Sequence, residues 1–203
     1  MNLLNKIRKL EKSSLKKVVD TRLNQFKSKK TNDSWFSEMC FCILTSNSKA
    51  ITAIAIQNEL GAKGFKTKTQ KQISSCIRRN KHRFHNNKSK FILAARPHIK
   101  IRDIILKEED PREWLFANIK GLGWKESSHF LRNVGYENYA ILDRHILNLM
   151  LETSMIKERP KSLTEKHYKD IESKFQILAN KLNMTSAELD LYMWFIKTGV
   201  VLK

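Results

Sequence analysis

The densest chemistry in this sequence lies in one short stretch, Ile119-Lys120-Gly121-Leu122-Gly123-Trp124-Lys125, and in an aspartate, Asp143, eighteen residues beyond its last lysine. Two glycines around one apolar residue suit a tight turn, because glycine tolerates backbone angles that other residues disfavour and lets a ligand approach the chain closely. Helical patterns on both sides make this a helix, a hairpin and a second helix, whose opening amides would face a phosphate. Lys125 falls in the first turn of that second helix, where the dipole disfavours positive charge. A neutral amine there would be a nucleophile. One helix and a short extended return then separate it from Asp143, enough to bring a carboxylate back beside the amine. Such a carboxylate could take a proton from the lysine and stabilise positive charge developing on a sugar as its base departs. Taken singly, each feature has a plainer reading. The glycines suit an ordinary turn, Lys125 suits phosphate binding, and Asp143 suits a helix cap.

The elements that must position these groups are helical almost throughout. Leu3, Ile7 and Leu10, then Leu15, Val18, Val19 and Phe26, predict an N-terminal amphipathic helix or helix pair. Asn32-Asp33-Ser34 caps an apolar helix over 35–44, and Thr45-Ser46-Asn47-Ser48 interrupts it. A helix over 49–60 stops at Gly61, leaving 61–68 as a loop. Helices follow over 69–79 and 87–96, the second ended by Pro97. Asp110-Pro111-Arg112-Glu113 reads as cap, first-turn proline and capping-box glutamate for a short helix through Ile119. Helices over 124–134, 144–151, 163–182 and 186–197 complete the chain, with Gly135 as a stop, 139–142 extended and Asp143 as an N-cap. The expectation is one all-α domain over 1–203, divisible into two helical lobes with a cleft between them and the hairpin at 115–135.

Lys and Arg number 39 against 20 Asp and Glu, a net charge of +19. The excess recurs over 6–17, 27–30, 63–83 and 157–174, among apolar residues at helical spacing. Basic faces on a folded chain suit a polyanion, of which nucleic acid is the commonest, although lysine also simply solubilises surfaces. The three cysteines, Cys40, Cys42 and Cys76, are odd in number and lie in apolar segments, which fits a reducing, intracellular compartment better than a disulfide framework. No four-cysteine spacing for zinc or an iron–sulfur cluster occurs, and His129 and His145 show no ligand spacing, so neither metal nor organic cofactor is expected. No run of about 18 apolar residues suggests a membrane span.

The hairpin with its lysine and the following aspartate resemble the helix-hairpin-helix superfamily of base-excision DNA glycosylases, in which Gly-x-Gly-x-Lys precedes a catalytic Asp by a similar interval. Phe41-Cys42-Ile43-Leu44-Thr45-Ser46-Asn47-Ser48, Ala140-Ile141-Leu142-Asp143-Arg144-His145, Leu189-Asp190-Leu191-Tyr192-Met193-Trp194 and the terminal Val201-Leu202-Lys203 are similar to the compact, archaeal-type second class of 8-oxoguanine DNA glycosylase/AP lyases. The likeness covers roughly residues 35–203; Tyr139-Ala140-Ile141-Leu142 departs from the superfamily's Gly/Pro-rich segment. The resemblance implies base excision followed by β-elimination through a lysine Schiff base, on double-stranded DNA containing an oxidised purine, by a monomer. It assigns Lys125 as nucleophile and Asp143 as acidic partner. Gly121, Gly123 and Lys120 would grip the DNA backbone, and Asn47 would plug the gap left by an extruded nucleotide. Trp194 and Phe84 would stack on the base and Lys203 would line its pocket, while Asp190 is open between pocket and structural duty. Two competitors stand: a non-enzymatic DNA-binding module, and a glycosylase for another lesion.

Overall fold

The computed structural model describes residues 2–203, and in it most helices begin where a side chain can satisfy the amides that a helix end leaves unpaired. The N-terminal pattern forms a pair, α1 (Leu3–Glu11) and α2 (Leu15–Lys27). Helix α3 (Asn32–Thr45) starts three residues earlier than its apolar run, because Thr31 is the cap: its Oγ1 accepts from Ser34 N at 3.1 Å. The expected loop over 61–68 is instead helical. Helix α4 runs Ala50–Thr67 with Gly61 as a single non-helical kink at φ 58 and ψ 179. The helix resumes because Leu60, Gly64 and Phe65 keep its apolar face against the core.

Helix α5 (Gln70–Arg79) is capped by Thr69, and α6 (His85–Ala94) ends before Pro97, which sits in a single 3-10 turn, Arg96–His98. A short α7 (Ile101–Ile105) was not expected; Ile101 and Ile105, four residues apart, are its buried face. Asp110 Oδ1 accepts from the amides of Arg112 and Glu113 at 3.1 and 2.9 Å and opens α8 (Pro111–Asn118). The remaining helices are α9 (Trp124–Asn133), α10 (Arg144–Glu152), α11 (Glu165–Leu182) and α12 (Ser186–Thr198). Gly135 at φ 106 follows α9. The described residues contain no β-strand, so the chain is all-α.

The chain divides into two compact units. Lys29–Phe130 forms one, centred on α3, against which α4, α6 and α7 pack. Trp35, Phe36, Met39, Phe41 and Ile43 are buried there. The other comprises residues up to Ser28 with Leu131–Lys203, and in it α12 packs on α2, α10 and α11. Its core includes Ile7, Val19, Phe26, Ile146, Phe175 and Leu189.

Candidate active site

In the Lys29–Phe130 unit the hairpin lies on an aromatic ring. Gly121 adopts φ +99, and a Cβ there would come within 2.7 Å of Phe91 Cδ2, so both conformation and space exclude a side chain. Lys120 is exposed, with its ammonium 5.9 Å from the centroid of the same ring. Gly123 precedes α9, and its amide donates to Glu126 Oε2 at 3.3 Å. The third residue of the helix therefore reaches back to cap it, and that amide is engaged within the chain.

Lys125 stands in the first turn of α9, its side chain 23% exposed, with Nζ 2.8 Å from Glu126 Oε1. Burial pushes the Glu126 carboxyl up, but the Lys125 charge and hydrogen bond, with the backbone amides, outweigh it and hold it below the usual range. A third charge lies close. Lys88 on α6 is only 5% exposed, its ammonium 6.0 Å from the Phe91 centroid and subject to the charges of Glu126 and Lys125. Burial lowers its pKa to about 8, Glu126 opposing and Lys125 adding. Neither Glu126 nor Lys88 was singled out from sequence. Glutamate three residues after a glycine cap was the available signal for the first; the second is one lysine among many.

In the same unit, buried His82 ties two other candidates together. Its Nε2–H donates to Leu44 O at 2.9 Å, and its Nδ1 accepts from Phe84 N at 3.2 Å. These two bonds fix one neutral tautomer, and burial keeps the ring below the usual histidine range. Leu44 lies in the last turn of α3, three residues before Asn47, which is exposed in the left-handed conformation at φ 58. The Asn47 side chain makes no hydrogen bond among the described residues, so the helix-capping alternative finds no side-chain bond here. The Phe84 ring remains 37% exposed, with the Arg83 guanidinium 4.6 Å from its centroid.

The second unit holds the other candidates. Asp143 caps α10: its Oδ1 accepts from His145 N at 2.8 Å and Ile146 N at 2.9 Å, leaving Oδ2 without a hydrogen bond among the described residues. The extended segment before it is pinned from α11. The Tyr168 hydroxyl donates to Ala140 O at 2.7 Å and accepts from Leu142 N at 3.3 Å, and Glu172 Oε1 accepts from Ala140 N at 3.0 Å. These three bonds hold the segment that leads into Asp143. His145 meets Trp194 edge-on, with ring centroids 5.0 Å apart. The half-buried Trp194 keeps its indole N–H out of solvent and, among the described residues, without an acceptor. Asp190 is buried in an ion pair with Arg132, whose guanidinium also lies 5.0 Å from the Phe26 centroid. Burial pushes the Asp190 carboxyl up, Arg132 opposes, and the charge of Asp143 adds to the rise. Lys203 ends the segment after Gly199, half-buried.

Among the described residues no group of three or more His, Cys, Asp or Glu is arranged to hold a metal, and no helix is long and apolar enough to cross a membrane. The family model for 8-oxoguanine DNA glycosylase matches residues 19–184. An 8-oxoguanine DNA glycosylase/AP lyase of Methanocaldococcus jannaschii is 43% identical over the whole of both chains, and one of Korarchaeum cryptofilum is 38% identical over all of this chain and 98% of its own. The crystal structure of the Methanocaldococcus jannaschii enzyme in complex with a 15mer DNA containing 8-oxoguanine superposes with a TM-score of 0.96 over 99% of each chain. That of the Thermotoga maritima 8-oxoguanine DNA glycosylase, 34% identical, gives 0.94 over 99% of this chain and 98% of its own. With a family match across most of its length and relatives of this identity at full coverage, the chain belongs to the 8-oxoguanine DNA glycosylase family.

Proposed function

We propose that this protein excises 8-oxoguanine from duplex DNA and then cleaves the strand by β-elimination, with Lys125 as nucleophile and Asp143 as its acidic partner. The observation that carries this is the placement of Lys125 in the first turn of α9, directly after the glycine hairpin, partly exposed and held by one carboxylate. The names of the relatives, which join both activities, support it.

Duplex DNA reaches the basic surface through its phosphates, and Lys120 with the backbone around Gly121 and Gly123 holds the strand. The lesion nucleotide leaves the stack, and Asn47 fills its place. Trp194 and Phe84 stack on the extruded purine and Lys203 meets its edge. Asp190 acts behind Asp143, paired with Arg132. Lys125 Nζ bonds to C1′ as the bond from C1′ to the base breaks, and Asp143 stabilises the positive charge that develops on the sugar. The sugar ring then opens at the C1′–O4′ bond, O4′ taking up a proton as nitrogen gives one up, and loss of a C2′ proton from the Schiff base so formed expels the 3′ phosphate. The setting is the cell interior, on nucleoid DNA.

Single-lesion duplexes carrying 8-oxoguanine, an alkylated purine or an oxidised pyrimidine test the reading. Borohydride should trap a covalent adduct with the first, and Lys125→Gln should abolish trapping and strand cleavage while DNA binding persists. Binding with no base release from any duplex would leave only a DNA-binding module. Unimpaired Lys125→Gln would remove the nucleophile.

A further inference from the structure

Strand cleavage through a lysine puts a full positive charge on one nitrogen. When a neutral Lys125 Nζ bonds to C1′ of an abasic sugar, the C1′ oxygen leaves as water with one proton from solvent. The nitrogen keeps a single hydrogen, as an iminium. The electron pair of the C2′–H bond then moves into the C=N bond as the proton departs, and returns to expel the 3′ phosphate. A neutral imine is a poor sink for that pair, so the intermediate has to hold its proton. The acceptor that Lys125 Nζ has among the described residues is Glu126 Oε1, at 2.8 Å. Adjacent side chains on a helix do not ordinarily face each other, so this contact needs a cause. The cause is the hairpin: Glu126 turns back to it, and its Oε2 accepts from Gly123 N at 3.3 Å. A Cβ at Gly123 would come within 3.1 Å of that oxygen, so glycine leaves the carboxylate its place. Glu126 is 8% exposed, and a carboxylate this buried stays charged only when paired. Burial opposes its ionisation, but the charge and hydrogen bond of Lys125 and the backbone amides prevail, so it is an anion at neutral and basic pH. The charged groups within its influence are Lys125 on its own helix and Lys88, buried on α6.

We propose that Glu126 is the counterion of the covalent intermediate, its Oε1 accepting the one N–H that the Lys125–C1′ iminium retains while its Oε2 stays on the Gly123 amide. The proposal rests on Lys125 being the nucleophile. Glu126 touches the reacting nitrogen and is therefore a catalytic residue. Its role holds whether or not the resting lysine carries a proton, because an anion beside nitrogen favours the charged form of amine and iminium alike. Poor access of water strengthens that effect over the same pair at an open surface. Removing the negative charge therefore lowers the proton affinity of both species. The amine becomes a nucleophile at lower pH, and the iminium loses its proton at lower pH. Both edges of the pH–rate profile move the same way, toward acid. Loss of a mere helix cap would instead slow the enzyme alike at every pH.

The test is strand cleavage of a duplex carrying one preformed abasic site, in single turnover at saturating enzyme, from about pH 5 to about pH 9.5 and corrected for cleavage without enzyme. Glu126→Gln keeps the shape and an oxygen for the Gly123 amide but loses the charge. Its pH–rate maximum should lie about one pH unit or more below that of wild type. Cleavage on the basic side should be at least about tenfold slower, with duplex affinity within about twofold. Glu126→Asp, which keeps a carboxylate, should hold the maximum within about half a pH unit of wild type. A maximum that stays in place in Glu126→Gln, a slowing equal at every pH, or a defect confined to affinity would overturn the proposal. Lys88→Met removes the second lysine, and the acid shift caused by Glu126→Gln should persist in that background; a shift that vanishes there belongs to Lys88 and also overturns it. Should Glu126→Gln not fold, judged by circular dichroism, Glu126→Asp decides, and a displacement of about one pH unit or more counts against the counterion. Lys125→Gln with borohydride keeps the two readings apart. Trapping that survives in it defeats the nucleophile, whereas trapping lost in Lys125→Gln with an unmoved Glu126→Gln profile defeats the counterion alone.

Discussion

Replacing Lys88 by methionine removes a charge from the protein interior while keeping an unbranched side chain of similar length. In the unfolded chain this lysine holds its proton up to the ordinary range near 10.5; in the folded chain burial makes it release the proton from about 8. Between those values the unfolded state binds more protons, so stability rises with pH across that window and is depressed below it. A tenfold change in proton affinity is about 1.4 kcal/mol, so at neutral pH the fall from 10.5 to about 8 costs the fold about 3 kcal/mol. Lys88→Met should therefore be the more stable protein near neutrality, by an amount that raises the melting temperature roughly 6–12 °C in a chain of this size. The assay is urea or thermal unfolding followed by helical circular dichroism at about pH 7 and about pH 10. The advantage of the variant should shrink toward zero at the higher pH, and the titrations of all other lysines cancel in the difference. Equal stabilities at neutral pH, or a gap that does not narrow, would refute the reasoning.

Three further substitutions probe the frame around the candidates. Gly121→Ala combines a φ of +99 with a Cβ 2.7 Å from Phe91, and should cost about 1–3 kcal/mol in unfolding experiments. Gly61→Ala, at φ +58 and ψ 179 with nothing within 4 Å, carries the conformational part alone and should cost about 1–3 kcal/mol. Arg132→Met takes away the partner of a buried Asp190, whose carboxyl then takes up a proton, and should destabilise by about 1–3 kcal/mol near neutral pH. Without Arg132, burial and Asp143 raise the Asp190 carboxyl still further. The loss is therefore greatest where Asp190 would be ionised and relaxes as pH is lowered through its folded value, which denaturation at about pH 5 and about pH 8 would show.

The parts of this molecule that sequence revealed are those written in local rules. The Asp143 cap, the proline-led start of α8 and the glycine hairpin each use a few adjacent residues, and each stands where the pattern placed it. Gly61 misled because a glycine after an apolar run signals a stop, whereas Phe65 and Gly64 return the chain to the same core face and make it a kink. Helix α7 was invisible because its pattern is five residues long, less than a periodicity needs to declare itself. The site shows the same division. Lys125 and Asp143 are legible through spacing, but Lys88 gains its character only from burial beside α9, thirty-seven residues further along the chain. The Tyr168 and Glu172 anchors on the 140–142 segment likewise come from a distant helix, so nothing near Asp143 announces them.

Glu126 shows why the fold and the chemistry can share one side chain without conflict. Its Oε2 accepts from the Gly123 amide and so ends the hairpin and opens α9, while its Oε1 holds Lys125. Had one oxygen carried both duties, freeing the lysine would have loosened the helix that presents it. With the duties divided, Lys125 can leave Oε1 while the cap on Oε2 stays closed, and the amine moves on a helix whose first turn is still fixed. The single carboxylate also limits the local charge. Glu126 pairs with Lys125, and Lys88 has no ion-pair partner among the described residues in surroundings that burial has made poor for charge. Removing Glu126 would take the carboxylate from Lys125 Nζ and also free the Gly123 amide that precedes α9. A lone glutamate at the third helical position is the arrangement that avoids both.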